Sequence, residues 1–129
     1  MTPLALLYNI EPNRGRQIGM LAAIHGVRVR VVAAGEYGES VGTLCGLAGE
    51  SGAQGLWNDF PEEMMVMAFF PEELLRRFLD SFRQAGVSPV RLKAVLTESN
   101  MGWNSCRLRA ELLREEAAFR AMREGREKP

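Results

Sequence analysis

The chain has 129 residues, 47% hydrophobic and 25% charged, a composition that builds one globular core without needing a disulfide or a metal. Sixteen Lys and Arg balance sixteen Asp and Glu, which removes any global electrostatic pull toward nucleic acid or an anionic membrane. The start lacks the basic, then long apolar, pattern of a secretory leader, because Glu11, Arg14 and Arg16 follow the first ten residues directly. The longest apolar run, residues 64–70, is far short of the roughly 20 residues a membrane-crossing helix needs. A cytoplasmic protein with no membrane partner is expected.

In chain order, residues 4–10 form a short apolar run ended by Glu11-Pro12-Asn13, which predicts a strand. Ile18, Leu21 and Ala22 then recur at helical spacing, and Gly26 stands where a left-handed helix cap is wanted. Val27, Val29 and Val31 alternate with Arg28 and Arg30, the period of a strand with one buried face. The phrase is then repeated. Residues 64–69 are apolar, Pro71 opens a helix with Glu72 and Glu73 in its first turn, and Leu74, Leu75, Phe78, Leu79 and Phe82 form its apolar stripe. Gly86 ends that helix sixty residues after Gly26, and Val90, Leu92 and Ala94 alternate with Arg91 and Lys93.

Two βαβ units are therefore predicted, aligned as Val27-Arg28-Val29-Arg30 against Val90-Arg91-Leu92-Lys93. The expected fold is α/β, a ferredoxin-like plait with a four-stranded antiparallel sheet. Its first and third strands are central and apolar, and its edges carry Arg28, Arg30, Arg91 and Lys93, which discourage edge-to-edge pairing. One domain over residues 1–124 is expected: half one at 4–34, a Gly-rich connector at 35–60, half two at 64–97, a C-terminal helix at 105–124, and a tail at 125–129. Within the connector, residues 40–47 read as a short helix and 49–59 as a mobile surface loop. Asn104 is the expected N-cap of the last helix, with Leu108, Leu112, Phe119 and Met122 on one side and Glu116–Arg120 as a supporting pair. Helices one and two can cover only one sheet face, so this helix or a second subunit on the open face must cover the other.

Chemistry-bearing residues are few. Cys45 and Cys106 lie sixty-one positions apart with no CxxC, so two reduced thiols are expected, with no metal and no cofactor. His25 precedes the capping Gly26, where it serves the last helix carbonyls rather than a nucleophile. Glu62-Glu63 and Glu72-Glu73 are adjacent pairs that do not face one another, and they read as solvated helix starts. The glycines at 35, 38 and 42 match neither GxGxxG nor a P-loop. Arg14 and Arg16 run against the dipole of the first helix, which marks them as candidate anion ligands. Residues 92–104 bring a cation, a hydroxyl, an amide and an indole to one sheet end. Lys93, Thr97, Asn100 and Trp103 are the candidate contacts for a small polar ligand. The competing structural reading has Thr97 and Asn100 satisfying loop backbone and Trp103 packing beneath the last helix.

Lys93-Ala-Val-Leu-Thr97, followed by Asn100 and Trp103 and preceded by the Phe70-Pro-Glu-Glu-Leu-Leu75 helix, resembles a small bacterial family, domain of unknown function 3783, over about residues 64–116. That resemblance implies no substrate, cofactor or catalytic residue. The family's Pro after the Thr is Glu98 here, which loosens the turn.

The function expected from these residues is a non-catalytic regulatory or small-ligand-binding module that self-associates through the open sheet face. An RNA- or anion-binding module using the basic edges is the alternative, although residues 64–70 do not match the base-stacking RNP1 pattern. A small enzyme without an identifiable catalytic set is the third reading.

Overall fold

A computed structural model describes residues 1–47 and 58–127. Apolar alternation and turn chemistry set out β1 (Leu4–Tyr8), α1 (Pro12–Ile24), β2 (Arg28–Val31), a 3-10 turn (Ala34–Glu36), α2 (Val41–Leu44), β3 (Met64–Ala68), α3 (Glu72–Gln84), β4 (Leu92–Val95) and α4 (Ser105–Glu127). The expected mobile loop at 49–59 falls almost wholly outside the described residues.

The strands form one sheet in the order β2-β1-β3-β4, with β1 and β3 as hydrogen-bonded neighbours in its middle. The sheet is mixed, which corrects the expected antiparallel plait. β2 runs parallel to β1 and β4 parallel to β3, while the central β1–β3 pair is antiparallel. A plait exchanges its edges, setting β2 beside β3. Here each helical crossover returns the chain beside its own first strand, the arrangement a crossover of a dozen residues permits. The long path between β2 and β3 leaves the sheet plane and packs on its face instead of closing a hairpin: Tyr37, Val41, Leu44, Cys45 and Phe60 all join the core there.

Side-chain alternation divides the core in two. Ala5, Leu7, Met65 and Met67 meet Ile18, Leu21 and Ala22 of α1 and Phe78 and Phe82 of α3. Leu4, Leu6, Tyr8, Met64, Val66 and Ala68 meet α2, the connector and Leu108 of α4. Every residue of β1 and β3 is buried. Of the two covers expected for this face, the last helix or a second subunit, α4 is the one found there, together with the connector.

The repeat is tighter than the strand alignment predicted. β1, α1 and the left-handed cap recur at a spacing of sixty, from Leu4, Pro12 and Gly26 (φ 70°) to Met64, Glu72 and Gly86 (φ 71°). Asn9 (φ 58°) and Phe69 (φ 67°), also sixty apart, both take the left-handed conformation at the strand-to-helix turn. Pairing to the central strands then matches Arg28 with Leu92 rather than with Arg91, because Leu4 faces Arg28 and Met64 faces Leu92. Four additional residues in the second half, around Pro89, account for the shift. Two expectations fall with it. Val90 packs with the α1/α3 layer while Leu92 packs with the α4 layer, so they do not share a face. β2 has no buried residue at all, with Val31 73% exposed.

Candidate binding site

The polar corner forms where β4 ends. Thr97 and Asn100 are brought together in a reciprocal knot. The Thr97 amide donates to Asn100 Oδ1 at 2.9 Å, the Asn100 amide donates to Thr97 Oγ1 at 3.1 Å, and Asn100 Nδ2 donates to the Val95 carbonyl at 3.0 Å. This closes the turn that Glu98 leaves without the ring restraint of a proline. Asn100 is buried and Thr97 exposed. The loop then hands its backbone to the connector: Val41 and Gly42 amides donate to the Trp103 and Met101 carbonyls, and Ser40 bridges Asn104. Asn104 caps α4 as expected, accepting from the Arg107 amide at 2.8 Å.

The other two candidate residues lie apart. Lys93 shares the α1/α3 face with Met65 by register, and its Nζ donates to the Val90 carbonyl at 3.0 Å. Trp103 packs on the α4-side core, with the Arg107 guanidinium 4.4 Å above its ring. The sheet edge stands between them.

The candidate anion ligands are also engaged. Arg14 makes a bidentate pair with Glu63 at 2.8 and 3.0 Å and donates to the Pro89 carbonyl, and Arg16 donates to Asn13 Oδ1. Glu62 and Glu63 precede β3 instead of starting a helix, which corrects the reading of that pair. As neighbours on an extended chain they address opposite layers. Glu63 holds Arg14 of α1, while Glu62 holds Arg109 of α4 at 2.7 and 2.9 Å. The Arg109 hydrogen bonds hold the Glu62 carboxyl below its usual range. Together they clamp both helical layers to the start of one central strand.

Sequence reasoning missed the polar core of the α4 layer. Tyr8 Oη and Ser105 Oγ lie 2.8 Å apart, both fully buried, and the Tyr37 hydroxyl donates to Asn9 Oδ1 at 3.2 Å. Tyr8 and Tyr37 each stack on Phe60, with centroids 6.0 and 4.5 Å apart, and meet one another tilted at 5.7 Å. Burial pushes the Tyr8 phenol well above its ordinary value and the Cys45 thiol up to about 11. The only available signal was a Tyr ending an otherwise aliphatic strand. Among the described residues no buried side-chain polar atom lacks a partner, and no group of three His, Cys, Asp or Glu could hold a metal. His25 behaves as a helix terminus should, with Nδ1 2.8 Å from the Leu21 carbonyl.

Two shallow recesses flank the sheet. One, of about 440 Å³, runs along β2 between Arg28, Arg30 and the end of α2, where Arg30 donates to the Leu44 carbonyl and pairs with Glu36. The other, of about 380 Å³, lies between β4 and α4, with Leu92, Leu112 and Phe119 in its walls. Phe119 and Met122, expected in the core side of α4, are 69% and 56% exposed. Phe119 still borders the recess beside β4 while most of its surface meets solvent, and Met122 lies outside that recess's lining.

These features define an α/β domain with a mixed four-stranded sheet covered by helices on both faces. Residues 63–119, from the Glu63 clamp to Phe119, match the family described as Domain of unknown function (DUF3783). No curated protein and no solved structure matches the chain. No helix among the described residues is long and apolar enough to cross a membrane.

Proposed function

We propose that the chain is a non-catalytic recognition module, of the regulatory or small-ligand-binding kind, that works by docking and self-association. The observation that carries this reading is α4. Its first half is spent on the fold, and its second half holds Phe119 and Met122 in solvent on the same helix. Exposed apolar side chains grouped on a projecting element are the usual mark of a contact surface. The interior supports the same view. Burial favours the protonated forms of Tyr8 and Cys45, the reverse of what a base or nucleophile needs at neutral pH.

A small polar ligand approaching the β4 corner meets the exposed Thr97 and the half-buried Trp103, while the Asn100 amide is already committed to the turn. The RNA- or anion-binding reading has less support, since Arg14, Arg30 and Arg91 are held by Glu63, Glu36 and Glu116. Sedimentation equilibrium of the full chain, with a thermal-shift screen of small carboxylates and amides, tests the proposal. A concentration-dependent dimer, or a ligand whose stabilisation is lost in Trp103→Ala, supports it. A chain that stays monomeric and gains no stability from any of them sinks it.

A further inference from the structure

α4 has 23 residues and so runs roughly 34 Å, whereas a strand of five residues spans about 17 Å. It packs against β4 through its first half, where Leu108 is buried, Leu112 and Leu113 touch the core, and Glu116 meets Arg91 at 2.8 Å. Beyond Glu116 the described side chains are all exposed. Phe119 lies seven residues after Leu112, on the face that packs on the sheet, and borders the recess beside β4 while 69% exposed. Met122 follows one turn later.

The charges along this stretch are arranged head to tail. Glu115 stands four residues before Phe119 and Arg123 four residues after it, both on its side of the helix. Neither makes an ion pair among the described residues, whereas Glu111, Arg114, Glu116 and Arg120 all do. A second α4 laid parallel sets Glu115 against Glu115 and Arg123 against Arg123. Laid antiparallel about Phe119, it sets each Glu115 level with the other copy's Arg123. The edge strand β2 offers no comparable fit. Antiparallel pairing of two β2 strands that keeps Val29 and Val31 on one face sets arginine against arginine.

From this we infer that the exposed second half of α4 is the docking surface for a second copy of the chain, the two helices antiparallel and crossing at Phe119 with Met122 beside the crossing, and with reciprocal Glu115–Arg123 pairs setting the direction. The inference rests on the self-association part of the proposed function and names its surface. Such a patch is smaller than the roughly 1,200 Å² of a stable complex, so the dimer is expected in the micromolar range.

Light scattering and sedimentation of the full chain from micromolar to millimolar concentration test it. Phe119→Asp is expected to weaken the dimer at least tenfold without changing the circular dichroism spectrum, since Phe119 lies outside the core. Glu115→Arg and Arg123→Glu alone are each expected to weaken it several-fold, and an equimolar mixture of the two to recover it as a heterodimer carrying both opposite-charge pairs. A wild-type chain monomeric at millimolar concentration overturns the inference and the self-association reading together. A dimer indifferent to Phe119→Asp overturns only the inference and moves self-association to another surface. Weakened single variants whose mixture does not recover overturn the antiparallel pairing.

Discussion

The two halves of the sheet are built from one pattern yet meet different fates at their edges. From β1 to Gly26 and from β3 to Gly86 they follow each other at a spacing of sixty, including the left-handed residues before each helix. Their core side chains complement rather than copy one another. Ile18, Leu21 and Ala22 correspond to Phe78, Ser81 and Phe82, so volume is traded between α1 and α3 where the helices meet. At the edges the symmetry ends. β4 presents Leu92 and Ala94 to the face that α4 covers, where β2 presents Arg28 and Arg30. α4 has no counterpart after β2 among the described residues, and the edge it covers is the apolar one.

The comparison can be broken most directly in the helical layer. Phe78→Ala should cost about 4 kcal/mol and Ile18→Val, at the matching place, about 1 kcal/mol, both read from urea denaturation midpoints. Equal losses would mean that the two helices do not share one core.

The α4 layer should answer next. Ser105→Ala leaves the buried Tyr8 hydroxyl without a partner and is expected to cost about 2 kcal/mol, more than the double variant Tyr8→Phe/Ser105→Ala, which removes both hydroxyls together. Position 68, sixty residues after Tyr8, is Ala and carries no such pair. Because burial raises the folded-state pKa of Tyr8, its contribution is fully present below the unfolded value of about 10. Above that it declines, since the unfolded chain releases a proton that the native state keeps. Denaturation at pH 9 and pH 11 should show this decline in the native chain, and a shallower one in Tyr8→Phe.

Gly26→Ala and Gly86→Ala should each cost about 1 kcal/mol, since both glycines hold a positive φ at equivalent helix ends. A marked inequality in thermal unfolding would show that the repeat is one of pattern and not of energy. The smallest effect belongs to the clamp. Arg109→Ala should cost about 0.5 kcal/mol at neutral pH. The Glu62 carboxyl is held low in the folded state, so the pair stabilises above the ordinary carboxylate pKa and is lost as pH falls through the folded one. The difference between native chain and Arg109→Ala should therefore shrink as pH falls below the ordinary carboxylate range.

Much of this was legible in the residues because it is local. Two apolar runs, two helices, two capping glycines and the Asn104 cap each follow from spacing or turn chemistry within a few positions. The candidate corner was legible only in part. Thr97 and Asn100 are three residues apart and find each other in a turn, but Lys93 and Trp103 are separated by strand parity and a loop crossing that no local pattern encodes. The Glu62 and Glu63 clamps, with partners 47 and 49 positions away, and the Tyr8–Ser105 pair, 97 positions apart, were equally out of reach.

By itself, then, the amino-acid order determined that this protein has two βαβ units with apolar central strands and a long final helix, because periodicity and helix caps act over one or two turns of chain. Only the tertiary structure decided which edge strand lies beside which central strand, and that α4 shields β4 while leaving Phe119 and Met122 largely exposed. Those outcomes depend on how a long connector packs and where a strand ends relative to a helix, quantities set by contacts between segments far apart in the chain.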